Sequence, residues 1–149
     1  MEIRQYTKER IPDVLQFERD LRSEEDCWGW EIDEKYVADV TACFDNPAFA
    51  DSLSLLAYMD GKVVGRIDSA LIRSRFDGSI KAYLDWICVI KSYRHRGVAQ
   101  SLMSALRKEL KGRGVDTLVG LIDTNEGARR FYRSLPDAEI KDEGVWIDL

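Results

Sequence analysis

The sequence predicts an α/β (α+β) domain built on a mixed, mostly antiparallel central sheet of about seven strands flanked by about four helices. Three observations predict it. Hydrophobic periodicity is helical over the first third of the chain and changes to that of strands from Ser52 onward. Two Asp-Gly pairs, Asp60-Gly61 and Asp77-Gly78, punctuate the second region between apolar flanks, as antiparallel hairpins require. An apolar run over residues 84–90 then passes through a basic glycine turn into an amphipathic helix and a further apolar strand, and a strand-helix-strand crossover implies parallel neighbours.

Each element follows in order. Residues 1–6 alternate as a first strand, and Thr7 with Arg10 and Pro12 reads as the cap and first turn of a helix. Ile11, Val14, Leu15, Phe17 and Leu21 recur at helical spacing to about Arg22, and a looser segment surrounds Gly29. Asp33 caps a second helix through Tyr36, Val37, Val40 and Phe44, which stops before Pro47 because the residue preceding proline is pushed out of the helical region. Strands at 53–59, 62–72 and up to Ile90 form a meander around the two Asp-Gly turns. A helix from Gly97 to about Arg113 carries Leu102, Met103, Leu106 and Leu110 on one face. A strand over 117–123, a helix over 125–135 and two short strands, 138–141 and 145–149, end the chain.

Bulk properties narrow the classes. The 149 residues suit a single domain spanning 1–149, long enough to bury about 68–70% of its unfolded surface. Residues 1–10 lack an apolar signal core and no run approaches a membrane span, so the expected compartment is the cytoplasm, with no membrane partner. Cys27, Cys43 and Cys88 form no Cys-x-x-Cys pair, which argues against a disulfide framework or a zinc site. A net charge of −5 argues against nucleic-acid binding, which needs a basic face. Its distribution is uneven: residues 18–34 hold eight acids against two bases, so they carry −6 and the remainder about +1.

The chemistry centres on Tyr93-Arg94-His95-Arg96-Gly97. A glycine opening a helix lets backbone approach a ligand, and the helix's first-turn N–H groups and positive dipole end favour an anion. Arg94 and Arg96 add full charges, so the turn reads as a phosphate seat. It is not a P-loop, since no glycine run ends in Lys-Ser or Lys-Thr, and the Gly112-x-Gly114 pair follows a helix, the wrong order for a dinucleotide fingerprint. Arg94, Gly97 and Ala99 spell Arg-x-x-Gly-x-Ala. About 30 residues on stands Asn125-Glu-Gly-Ala128-Arg-Arg-Phe131-Tyr132.

At these two motifs the chain resembles the GNAT superfamily of N-acetyltransferases, whose signature is Gln/Arg-x-x-Gly-x-Gly/Ala followed downstream by an Asn, an Ala and an aromatic-Tyr pair. The element order agrees over nearly the whole length. The resemblance implies that Arg94, His95, Arg96, Gly97, Val98 and Ala99 hold the pyrophosphate of acetyl-CoA as co-substrate, with no metal. It also implies that backbone at Ile87, Cys88 and Val89 pairs with the pantetheine arm, entering between splayed parallel strands, and that Asn125, Ala128 and Phe131 complete the cofactor segment. Many members follow the Tyr with a Gly-Phe pair. Here Ser134-Leu135-Pro136-Asp137 stands instead, in a region that in the family often borders the acceptor site or a dimer contact, so a homodimer is compatible with the resemblance.

Acetyl transfer to an amine needs a base, because an ammonium has no lone pair with which to attack, and an acid for the departing thiolate. Asp85 interrupts the apolar run, and strict alternation puts it on the face of Tyr83, Ile87 and Val89; the structural alternative is an Asp bonded to neighbouring backbone, and Glu24 and Glu25 are second choices for the base, otherwise part of a solvated acidic wall. Tyr132 shares a helix face with Ala128, Phe131 and Leu135, and by resemblance it protonates the thiolate; otherwise it is a core tyrosine. His95 either touches a phosphate or faces water. A Cys88–His95 nucleophile pair has no third group to orient it. Glu24, Glu25, Trp28 and Trp30 suggest a site where acid and tryptophan receive a cationic amine, such as a polyamine, an aminoglycoside-like compound or a basic peptide. Two other readings compete: a non-catalytic acyl-CoA-binding module, and an interaction domain whose Arg94–Arg96 cluster binds an acidic partner.

Overall fold

The change of period at Ser52 is realised as a helical first third and a sheet beyond it. A computed structural model describes residues 1–25, 31–122, 126–141 and 144–147. The order is β1 (Glu2–Gln5), α1 (Ile11–Glu24), α2 (Glu34–Asp45), β2 (Leu53–Met59), β3 (Lys62–Arg73), β4 (Ile80–Val89), α3 (Val98–Gly112), β5 (Thr117–Gly120) and α4 (Glu126–Arg133). Short 3-10 turns occupy Lys8–Arg10, Pro47–Phe49 and Lys91–Tyr93. The chain forms two compact units, Met1–Val119 and Gly120–Leu149. No helix among the described residues is long and apolar enough to cross a membrane.

Five strands lie side by side in sequence order, β1 to β5, in a mixed sheet whose first three pairings are antiparallel. Asp60 and Gly61 close the β2–β3 hairpin with φ of 51° and 78°, the left-handed pair that a tight hairpin of this twist needs. The second Asp-Gly pair works differently: Arg73 opposes Ile80, so the link is six residues, 74–79. Asp77 accepts bonds from the Ser79 N–H (3.0 Å) and hydroxyl (2.7 Å), which together with a further bond from Ser74 hold its carboxyl down at about 2.

Successive residues of β3 point to opposite faces and show what covers each. Gly65 lies against Val98 and Leu102 of α3, while Arg66 meets Glu18 of α1. The α1 face is closed by Ile11, Val14, Phe17 and Leu21 against Leu56, Tyr58 and Val63, with Tyr36, Val37 and Val40 of α2 packed alongside. On α3 the predicted stripe Leu102, Met103, Leu106 and Leu110 is buried throughout.

Three expectations are corrected. Thr7 makes no side-chain cap: it precedes the 3-10 turn, and α1 starts at Ile11 with Pro12 in its first turn. The sheet has five strands among the described residues, not about seven. Residues 138–141 and 144–147 join no sheet there, and Val145, Trp146 and Ile147 are each more than three-quarters exposed. An apolar run becomes a strand only when a neighbour takes its backbone hydrogen bonds, and Asp137 in the left-handed region at φ 61° after Pro136 redirects the chain first. The third correction concerns Asp85. Asp68 opposes Trp86 while Ser69 opposes Leu84, so Asp85 is the extra residue of a β-bulge. Leu84 therefore takes the face of Ile87 and Val89 that strict alternation gives to Asp85.

Candidate active site

The end of β4 and the start of α3 carry most of the candidate site residues. Ile87, Cys88 and Val89 pair with Ile67, Arg66 and Gly65 of β3 along one edge. On the other, β5 is tied to β4 at the start of both strands: Asp116 N–H donates to Ile80 O (2.9 Å), and Ile80 N–H donates to the Asp116 carboxylate (3.1 Å). β5 is the shorter strand, four residues against the ten of β4. Ile87–Val89 lie at the far end of β4 from this tie, where the strand leads toward α3.

Beyond Val89 the chain makes the 3-10 turn Lys91–Tyr93 and then reverses into α3. His95 at φ 61° and Gly97 at φ 78° both sit in the left-handed region, which a glycine enters without penalty and a histidine rarely does. Gly97 is the N-cap of α3, with no side chain capping the helix and no acid in its first turn. Ser101 N–H is the amide that Gly97 O accepts (3.0 Å), so Val98, Ala99 and Gln100 have no intrahelical acceptor for theirs. A Cβ built on Gly97 would meet nothing within 4 Å. The helix start is thus open, positive and uncapped, and a diphosphate fits that donor set.

The two arginines do different things. Arg94 Nε donates to Val89 O (3.0 Å), and its terminal nitrogens form a bidentate pair with Glu25, one bond at 2.8 Å. Burial works against its charge, but the Glu25 hydrogen bond and charge raise its pKa. Arg96 lies over the Tyr93 ring at 5.2 Å, exposed beside the helix start. Glu24 accepts from Ser92 N–H (2.8 Å) and the Ser92 hydroxyl (2.7 Å), and these bonds lower its pKa.

Asp85 is exposed on the bulge of β4. In the second unit, Ala128, Phe131 and Tyr132 of α4 and Leu135 just beyond its end are all half-buried, and the Phe131 and Tyr132 rings meet edge to face at 5.2 Å. Burial raises the Tyr132 phenol above its ordinary value, so it is a neutral O–H donor at physiological pH. Trp28, Trp30 and Asn125 lie outside the described residues.

Sequence reasoning missed the polar layer between β3 and α1. Arg66 pairs with Asp68 (2.7 Å) and Glu18 (3.3 Å) and lies over the rings of Tyr6 (4.9 Å) and Trp86 (5.6 Å). Tyr36 donates to Glu18 (2.8 Å), and Ser54 donates to Asp68 (2.5 Å). The available signal was charge at alternate positions 66 and 68 inside an apolar strand, together with a glutamate on the apolar stripe of α1.

A family model described as acetyltransferase (GNAT) family matches residues 2–135. Among solved structures, similar folds include an aminoglycoside acetyltransferase from an uncultured soil metagenomic sample in complex with sisomicin (TM-score 0.83, 17% identity, covering 99% of this chain and 95% of that one). Another is the ribosomal-protein-alanine N-acetyltransferase from Brucella melitensis biovar Abortus 2308 (TM-score 0.75, 17% identity, 100% and 99% covered). A third is AAC(6')-Iy in complex with the bisubstrate analogue CoA-S-monomethyl-acetylneamine (TM-score 0.77, 20% identity, 99% and 97% covered). No protein of curated function matches the chain at a significant level. At such identities the structural likeness is one of fold, but the family match spans both motifs and nearly the whole chain, and the chain belongs to the acetyltransferase (GNAT) family.

Proposed function

We propose that this chain is an acetyl-CoA-dependent N-acetyltransferase that moves the acetyl group directly to a primary amine in a ternary complex, without a covalent enzyme intermediate. The observation that carries the proposal is the uncapped start of α3 at Gly97, open to a ligand and reached from the end of β4 through one short turn. The amides of Val98 and Ala99, with Arg96 and His95 beside them, would hold the pyrophosphate; backbone at Ile87–Val89 would orient the pantetheine arm. Asn125, Ala128 and Phe131 would complete the seat by their motif positions. When bound, acetyl-CoA supplies the thioester carbonyl and the thiolate leaving group. Asp85, turned out by the bulge, would take the ammonium proton, directly or through water, and the neutral Tyr132 phenol would return a proton to the thiolate sulfur. The acceptor is a cationic amine, a small molecule or a basic peptide, attracted by the acid-rich segment that carries Trp28 and Trp30.

The test is release of CoA thiol from acetyl-CoA across pools of polyamines, aminoglycosides, amino acids and basic peptides. One pool should support release, and Tyr132→Phe should lower kcat with that acceptor by about 10²-fold or more, with little change in the acetyl-CoA KM, as loss of a general acid does. Unchanged kcat in Tyr132→Phe would remove the phenol from the mechanism. Failure of the protein to bind acetyl-CoA at all would overturn the assignment.

A further inference from the structure

We infer that Glu24 and Glu25 are positioning residues for the cofactor turn, a two-carboxylate clamp reaching from the end of α1, and that they act there instead of meeting the acceptor amine. The inference rests on the acetyl-CoA reading of that turn. Glu24 is the last residue of α1 and Glu25 its C-cap. Carboxylates are disfavoured at that end by the helix dipole, so the helix itself gives no reason for two of them. Their reason is across the gap. Between them they take the Ser92 amide, the Ser92 hydroxyl and both terminal nitrogens of Arg94, residues 68 and 69 positions further along the chain.

The arrangement has a direct consequence for charge. Arg94, which the motif offers as a phosphate ligand, spends its guanidinium on Glu25 and on Val89 O. It spans from the last residue of β4 to the end of α1, so it fixes where β4 stops relative to the start of α3. That spacing is what a ligand would need if its extended arm lay along Ile87–Val89 and its diphosphate sat at Val98–Ala99. Arg94 thus sets geometry, and the attraction for the anion falls to the α3 amides and Arg96. Bidentate guanidinium–carboxylate pairs give geometric specificity of this kind.

Equilibrium binding of CoA, and of pantetheine, which has no pyrophosphate, tests this by titration calorimetry. The proteins are wild type, Glu24→Gln/Glu25→Gln, Arg94→Glu, and the swap Glu25→Arg/Arg94→Glu, each with its melting temperature recorded. CoA should bind the double glutamine variant and Arg94→Glu at least ten-fold more weakly than wild type, with pantetheine binding the same in all, and the swap should recover CoA binding to within about three-fold. Wild type that fails to bind CoA would sink the acetyl-CoA reading itself. Wild type that binds CoA, with the glutamine variant equally tight and only its melting temperature lowered, would overturn the clamp as a positioning device. A swap as weak as Arg94→Glu alone would overturn it too, because the Arg94 charge would then be acting on the phosphates directly.

Discussion

Glu18 shows how a single buried residue couples the site's scaffold to pH. It is 4% exposed, and desolvation raises its pKa against the opposing effects of the Tyr36 hydrogen bond and the Arg66 and Arg22 charges, with Asp68 adding to the rise. The folded protein therefore holds this proton more tightly than the unfolded chain does. Its contribution to stability is greatest in acid and falls as pH climbs from the unfolded value of 4.5 to the higher folded one. Glu18→Gln removes that proton, so denaturant unfolding of wild type and variant compared from pH 4 to 8 should show the variant gaining on wild type as pH rises. A variant that loses ground with rising pH would mean that Arg66 holds Glu18 ionised in the fold. Trading the carboxylate for an amide keeps an acceptor for Tyr36, which isolates the charge from the hydrogen bond.

Among elements, the packing of α3 on the sheet turns on Gly65. A Cβ there would lie 2.9 Å from Val98 Cγ1, 3.1 Å from Leu102 Cδ1 and 3.3 Å from Cys88 O. The last of these is backbone and cannot swing away. Gly65→Ala should cost about 1–3 kcal/mol of unfolding free energy, the usual penalty of overpacking, measured by urea denaturation; a neutral result would show that α3 has slack against β3. Elements with strong local signals were legible in the sequence: the Asp33 cap, the Asp60-Gly61 hairpin and the α3 stripe all formed where their residues indicated. What escaped depended on partners far along the chain. The bulge at Asp85 exists only in the pairing of β4 with β3, and the terminal apolar runs lacked the neighbours that would make them strands. Gly65 gave a glycine inside a strand as its only local signal, which marks close approach without naming what approaches.

At the scale of the whole molecule, the fold carries one chemical idea: a sheet strand that leads through one short turn into a helix start with spare amides. The motif residues of that junction were legible because they are contiguous. The contacts of Glu24 and Glu25 were not, since their partners lie almost 70 residues away and their local surroundings read as an acidic wall. Binding of acetyl-CoA at this junction is the claim on which the acyl transfer, the clamp and the roles of Asp85 and Tyr132 all depend. The most direct measurement is a ¹H–¹⁵N correlation spectrum of the labelled protein titrated with CoA. The account predicts saturable shifts concentrated at the amides of Arg96, Gly97, Val98, Ala99 and Gln100 and along Ile87–Val89. A spectrum unchanged at millimolar CoA, or saturable shifts that avoid both stretches, would contradict it.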